Sequence, residues 1–429
     1  MSITKNTHIY DFVVLGGGIA GLYTVYQIIK REPKSRILLL EKANNLGGRI
    51  HTYCVDQTQC LEAGAGRFTS KHHRLIELIR ELGLSNKMVE ISSHSDFVSS
   101  NPQFSSMKIS KEELIQRVVK HSNRESAEYL QSLSLLDYAK TILSETEIEF
   151  LKASFGYYTE LVVMNAYDGL HLISFHLSEN NKYFALSSGL SQIVEKLEQM
   201  FSKHSNIDIL KKRSVKSIVF DSDRELFEIF IDERKTPFVS QKVICSLPKQ
   251  VLEKIDIFRP IRPLLKKIIC APLCRIYSKY PINKETGEPW FSKLSKITTD
   301  NHLRMVIPIN NKTGWIMISY TDNKYSEYWN RLYETHGKSG VDQKTHDLIK
   351  KTLHIDIPKP EKTFVFHWGC GVGYWGINVD SRRTSESIMK PFSNDLYICG
   401  EHFSSKNQQW IEGALETSSY VISKIFLKK

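Results

Sequence analysis

The chain has 429 residues, 41% of them hydrophobic and 10% aromatic, and its 58 Lys and Arg against 47 Asp and Glu give a formal net charge of +11. That length allows roughly two or three domains with substantial cores, and the apolar content excludes a mainly disordered chain. Seven scattered cysteines, an odd count, exclude a small disulfide scaffold. The closest pairs, Cys54/Cys60 and Cys270/Cys274, have no second pair at zinc-site spacing, so reduced thiols, a cytoplasmic location and no metal site are expected. The basic excess is spread out, its densest run being Lys211-Lys212-Arg213, and reads as solvated surface rather than a nucleic-acid footprint.

In chain order, residues 9–15 read as a buried parallel strand, Ala20 to Arg31 as a helix and Arg36 to Glu41 as a second strand, which makes a βαβ unit. Phe12 to Ile29 carries no charge and approaches the length of a membrane span. Gly16, Gly17, Gly18 and Gly21 break it into strand, turn and helix, and Asp11 interrupts any leader, so neither a membrane span nor an export signal is expected. Helical stretches dominate 71–83 and 111–153. Short strands follow at 207–210, 215–220, 226–231 and 242–247, strand returns around 303–320, and the last part is a strand at Leu396–Gly400 and a closing helix over Ile411–Ile425. The fold class expected is α/β (α+β mixed), a Rossmann-like domain interleaved with a mixed-sheet domain and a helical insertion. The boundaries expected are 1–75, 186–260 and 366–429 for the three parts of the Rossmann-like domain, 76–185 for the helical insertion and 261–365 for the mixed-sheet domain.

Gly16-Gly17-Gly18-Ile19-Ala20-Gly21 fits G-x-G-x-x-G between a strand and a helix. The first glycine permits a tight turn, the second lets backbone approach a pyrophosphate, and the third lets helix pack on strand with its N-terminus toward the phosphates. Glu41 ends the next strand 20 residues after Gly21, where a carboxylate accepts hydrogen bonds from a ribose, and an acid there argues against a phosphorylated ribose. Leu46-Gly47-Gly48-Arg49, Tyr397-Ile-Cys-Gly400-Glu401-His402, Trp410-Ile-Glu-Gly413-Ala414 and Ser188-Gly189-Leu190 complete a pattern that resembles the flavin amine oxidase superfamily along the whole chain. The resemblance implies noncovalent FAD. Its cofactor residues would be Gly16, Gly18, Ile19, Ala20, Gly21, Glu41, Lys42, Gly48, Arg49, Ala65, Gly66, Arg67, Val215, Gly400, Glu401, Trp410 and Ile411.

Leu61-Glu-Ala-Gly-Ala-Gly-Arg67-Phe68 resembles the L-amino-acid oxidase branch, where an arginine at this position forks the substrate carboxylate; a structural ion pair is the rival reading of Arg67. Thr298 to Arg304, Trp315 to Asp322 and Tyr328-Trp329 resemble the substrate-domain sheet of that branch, in particular of its tryptophan-oxidising members. Tyr320 would then donate its hydroxyl to the same carboxylate, with a core tyrosine as the rival. Tyr157, His171, Tyr374 and Trp410 complete the implied pocket. Arg275 falls where the superfamily usually has a lysine near the flavin, and a group that stays cationic cannot act as a tunable amine, which sets oxidase activity below flavin binding in strength. Cys370 does not have the spacing of a covalent flavin cysteine.

The expectation is an FAD-dependent oxidoreductase converting a bulky or aromatic L-amino acid to the imino acid and 2-oxo acid, with oxygen reduced to hydrogen peroxide. Arg67, Tyr320 and Arg275 are its candidate catalytic residues. The alternatives are a flavin amine or polyamine oxidase and a flavoprotein with weak or no oxidase activity. Its partners would be the small amino-acid or amine substrate and molecular oxygen, with no nucleic-acid domain, and a homodimer is allowed.

Overall fold

The computed structural model describes residues 8–176, 181–390 and 395–426. They fall into two compact units, the first built from the described residues 8–91, 181–268, 380–390 and 395–426, the second from 92–176 and 269–379.

The first unit is organised by a sheet that comprises, among the described residues, seven strands. Its order runs Val215–Asp221, Leu226–Ile231, Arg234–Cys245, Ile9–Leu15, Ile37–Leu40, Ile207–Leu210, with Leu396–Ile398 also paired to Arg234–Cys245. Ile9–Leu15 runs parallel to both its neighbours, and Val13, Val14, Leu15 and Ile37 to Leu39 have no exposed surface. This explains their unbroken apolar runs, because a parallel strand is covered on both faces. Helix Ile19–Arg31 ends with Lys30 and Arg31 in its last turn, cations suited to a helix C-terminus, and buries Leu22, Val25 and Ile28 completely. The core it joins includes Leu197 and Phe201 of helix Ser191–Phe201 and Leu415 and Val421 of helix Ile411–Phe426. A hairpin, Thr52–Cys54 with Cys60–Glu62, and a three-stranded sheet of Phe68–Thr69, Tyr183–Leu186 and Met88–Ile91 complete this unit. The sequence expectations of a mixed α/β fold and of strand, turn and helix over 9–31 agree with this arrangement.

The second unit holds a six-stranded sheet in the order Lys362–Trp375, Ile268–Lys279, Trp315–Asp322, Met305–Asn310, Ile297–Thr299, Asp96–Val98. Its helices include Lys111–Ser122 and Glu145–Ser154. Each opens on a reciprocal cap, Ser110 with Glu113 and Ser144 with Glu147, which satisfies two orphan amides per helix end.

Two sequence expectations are corrected here. Tyr328 and Trp329, read as sheet, lie on a helix over Asn323–Leu353, interrupted at Gly337 with φ +59°. Its buried residues, among them Trp329, Val341, Leu348 and Ile349, are too sparse to trace an apolar stripe in the sequence. The cysteines are not all reduced. Cys54 pairs with Cys60, and Cys270 pairs with Cys370 rather than with nearby Cys274, leaving buried Cys245, Cys274 and Cys399 free.

Candidate functional site

In the first unit the turn after Ile9–Leu15 is shaped by where side chains cannot stand. Gly16 has φ +103°, and a Cβ on Gly21 would lie 2.1 Å from the Gly16 carbonyl oxygen, so the helix touches the strand at that point. A Cβ on Gly18 would meet nothing within 4 Å, and one on Gly48 would meet only the Gly18 Cα at 3.4 Å. Gly18 and Gly47 form a parallel bridge, and the Gly47 amide donates to the Gly17 carbonyl at 2.8 Å. The two glycine segments are therefore one surface of bare backbone. Gly18 caps the thirteen-residue helix with no side-chain hydrogen bond, which leaves the amides of its first turn, with buried Ile19 and Ala20, uncapped by any side chain. Open space above glycine backbone and a helix N-terminus without a side-chain cap fit the pyrophosphate of a dinucleotide.

Glu41, beyond Ile37–Leu40, accepts from the amides of Gly17 and Ala43, each at 2.7 Å, while Lys42 beside it is exposed. Val215 starts an edge strand of the same sheet. Arg49 donates to buried Glu401 at 2.6 Å, and the Gln409 amide donates to the other Glu401 oxygen. Burial works against the Glu401 carboxylate, but Arg49 and neighbouring groups outweigh it and hold its pKa below the ordinary range. His402, 1% exposed, has its pKa pushed down to about 4 by burial and then by Arg49, and so stands neutral. Gly400, at φ +140°, places this pair after Leu396–Ile398.

The Ala65 amide donates to the Arg49 carbonyl at 2.9 Å, and a Cβ on Gly64 would lie 2.0 Å from the same oxygen. This close contact carries Ala65 and Gly66 to Arg67, whose guanidinium lies 4.9 Å from the Tyr183 ring centre and 5.8 Å from that of Trp410. Trp410 meets the His72 ring at 4.8 Å, and Ile411 opens the final helix. Burial pushes the His72 pKa down to about 3, and its Nδ1 accepts from the Thr69 amide at 3.3 Å, which leaves the ring proton on Nε2. Neither Tyr183 nor His72 is marked by any motif. Their rings reach this cluster only because Tyr183–Leu186 pairs with Phe68–Thr69 and the turn at His72 folds back on Thr69.

In the second unit Arg275 and Tyr320 are direct antiparallel partners, and the guanidinium lies 4.6 Å from the Tyr320 ring centre. Burial alone would lower the Arg275 pKa, but the hydroxyls of Tyr320, Tyr277 and Tyr157 more than offset it and raise it. Arg275 is fixed as a cation. Tyr157 meets Tyr320 edge-on at 5.7 Å with an interplanar angle of 82°. Tyr374 is 2% exposed, and burial, followed by Glu160, Asp322, Tyr320 and Tyr157, raises its pKa. His171 is an exposed residue of helix Ala166–His176, unlike the half-buried Tyr157 and Tyr320. Cys370 is bonded to Cys270. No helix among the described residues is long and apolar enough to cross a membrane.

Comparison with known proteins places these features in context. The family described as Flavin containing amine oxidoreductase matches residues 19–420. An uncharacterised protein of Acanthamoeba polyphaga mimivirus is 21% identical, over 97% of this chain and 94% of its own length. The flavin-dependent L-tryptophan oxidase RebO of Lentzea aerocolonigenes is 36% identical over 18% of this chain and 16% of its own. A solved structure of wild-type putrescine oxidase bound to putrescine has a TM-score of 0.77 at 13% identity, over 98% of this chain and 99% of that one, a likeness of fold.

Proposed function

For a chain that belongs to the family of flavin containing amine oxidoreductases, and so acts as a flavin-dependent oxidoreductase on a small molecule, we propose that the substrate is an L-amino acid. The side chain is bulky or aromatic, the cofactor is noncovalent FAD, and oxygen is the acceptor, giving hydrogen peroxide. The observation that carries this reading is Arg67, held between the rings of Tyr183 and Trp410 in the unit that contains the glycine cradle. A guanidinium stacked on aromatic faces is preorganised, and its fork matches a carboxylate. The local likeness to an L-tryptophan oxidase supports an aromatic side chain.

FAD would be held by Gly16, Gly18, Ile19, Ala20 and Gly21 at its pyrophosphate, by Glu41 and Lys42 at its ribose and by Val215 at its adenine. Gly48, Arg49, Ala65, Gly66, Gly400, Glu401, Trp410 and Ile411 would complete its binding. The bound flavin supplies the two-electron oxidising group. Arg67 orients the substrate through its carboxylate. Neutral His402 and the ion-paired Arg49 and Glu401 keep the charge of the cofactor wall constant near neutral pH.

The test is anaerobic bleaching of the flavin by L-amino acids and by the amines that lack their carboxylate, with wild type and Arg67→Ala. Loss of a bidentate charged pair lowers kcat/KM for the amino acid about a hundredfold and leaves the amine within a few-fold. Equal losses on both substrates would remove the carboxylate role, and a wild-type preference for amines would make the protein an amine oxidase instead. Peroxide yield per substrate in air tests the acceptor.

A further inference from the structure

The linker that carries Tyr157 is held by two buried charges that no catalytic reading assigns. Helix Glu145–Ser154 ends, Phe155-Gly156-Tyr157 follows, and helix Tyr158–Val162 begins. Arg304, with no exposed surface, donates from Nη1 to the carbonyls of Ala153 (3.0 Å) and Thr299 (3.2 Å) and from Nη2 to those of Lys152 (3.2 Å) and Phe155. It thus caps the end of the first helix, where the backbone is negative. Asp322, 1% exposed, accepts from the amides of Tyr158 (3.0 Å) and Thr159 (2.8 Å), where the backbone of the next helix is positive.

Two details argue that these bonds are specific. Asp322 is itself the N-cap residue of Asn323–Leu353, yet its side chain makes no capping bond to that helix and serves the Tyr158 end instead. Arg304 holds a left-handed backbone at φ +53°, a conformation costly for a residue with a Cβ unless its surroundings retain it. Asp322 also lies two positions after Tyr320 on one strand, so the residue that fixes the Tyr157 linker is tied to the strand of the ring Tyr157 touches.

We propose that Arg304 and Asp322 form a charged clamp that positions Tyr157 edge-on against Tyr320, and that this clamp sets substrate affinity at the tyrosine pair. The second half rests on the amino-acid oxidase reading; the first half does not. The test uses the full-length flavoprotein with 3-fluorotyrosine at position 157, in wild type, Asp322→Asn and Arg304→Lys. Asparagine presents at most one acceptor where the carboxylate offers two. Hydrogen exchange at the Tyr158 and Thr159 amides is then expected to speed up about tenfold, and the fluorine resonance to move toward that of an exposed tyrosine. Arg304→Lys, which keeps the charge but loses the fork, is expected to fall between the two.

With the best L-amino acid, KM for Asp322→Asn is expected to rise about tenfold, with kcat and flavin content close to wild type, because the change misplaces a contact made in the ground state. Where Asp322→Asn does not fold, Gly156→Ala replaces it: its Cβ would meet Met305 Sδ at 3.0 Å and displace the same linker without touching either charge. An unmoved fluorine resonance overturns the clamp, and a fall in kcat at constant KM overturns its role in affinity. If no amino acid bleaches the wild-type flavin, the substrate reading fails, and exchange and fluorine shift still decide the clamp.

Discussion

His402 concentrates the electrostatics of the proposed cofactor wall in one side chain. Its Nδ1 lies 3.3 Å from the Lys249 amide, and its Nε2 lies 3.4 Å from the Arg49 guanidinium and 3.6 Å from the Glu401 carboxylate. Unfolded, the same ring titrates near 6.5; folded, near 4. Between these values the unfolded chain binds the extra proton, so the stability from a neutral His402 is complete above pH 6.5 and is lost as pH falls toward 4. That shift corresponds to about 3 kcal/mol, and His72, pushed down to about 3, adds a loss in the same direction. Urea midpoints measured from pH 7 down to 4.5 are expected to fall steadily, well before ordinary carboxylates protonate. His402→Asn is expected to be less stable at neutral pH but to show a shallower fall. A slope parallel to wild type would mean that His402 does not govern this window.

At the scale of elements, the loop from Ile9–Leu15 to Ile19–Arg31 assigns different work to glycines three residues apart. Gly21 has no room for a methyl group against the Gly16 carbonyl or, at 2.7 Å, against Ser246 Oγ, so Gly21→Ala is expected to destabilise the apoprotein by about 1–3 kcal/mol. Gly18 has room, so Gly18→Ala is expected to melt close to wild type while the flavin-to-protein ratio of the purified protein drops sharply. Full flavin occupancy in Gly18→Ala would show that this backbone does not approach the cofactor. This loop was legible in the sequence because its parts are contiguous: an apolar run, glycines at fixed offsets, and a carboxylate at the end of the next strand. The Asn323–Leu353 helix was not, since a charge-rich helix with few buried positions has no period to read. Tyr183, His72, Arg304 and Asp322 were also out of reach, because each acts on a segment remote from its own neighbours along the chain. Thr69 beside His72 and Thr299 beside Arg304 are local contacts, and neither carries a motif.

For the whole molecule, the chain enters the first unit three times and the second twice, so each unit closes only when segments far apart in sequence meet. Such closure is costly in chain entropy, and the two disulfides relieve that cost unequally. Cys270–Cys370 spans 100 residues within the second unit, whereas Cys54–Cys60 spans six within the first. A cross-link across about 100 residues removes ~4.7 kcal/mol of unfolded-state entropy in the chain model, against about 2 kcal/mol for six. Acid, by contrast, weighs on the first unit through His72 and His402. Reductant at neutral pH is therefore expected to speed hydrogen exchange in core peptides of the second unit, such as Trp315–Asp322, more than in Ile9–Leu15. Acidification to pH 5 without reductant is expected to reverse that order. Cys270→Ser is expected to reproduce the effect of reductant, and Cys54→Ser to reproduce little of it. Equal acceleration of both units under both treatments would mean that the interleaved chain opens only as a whole, with neither device acting locally.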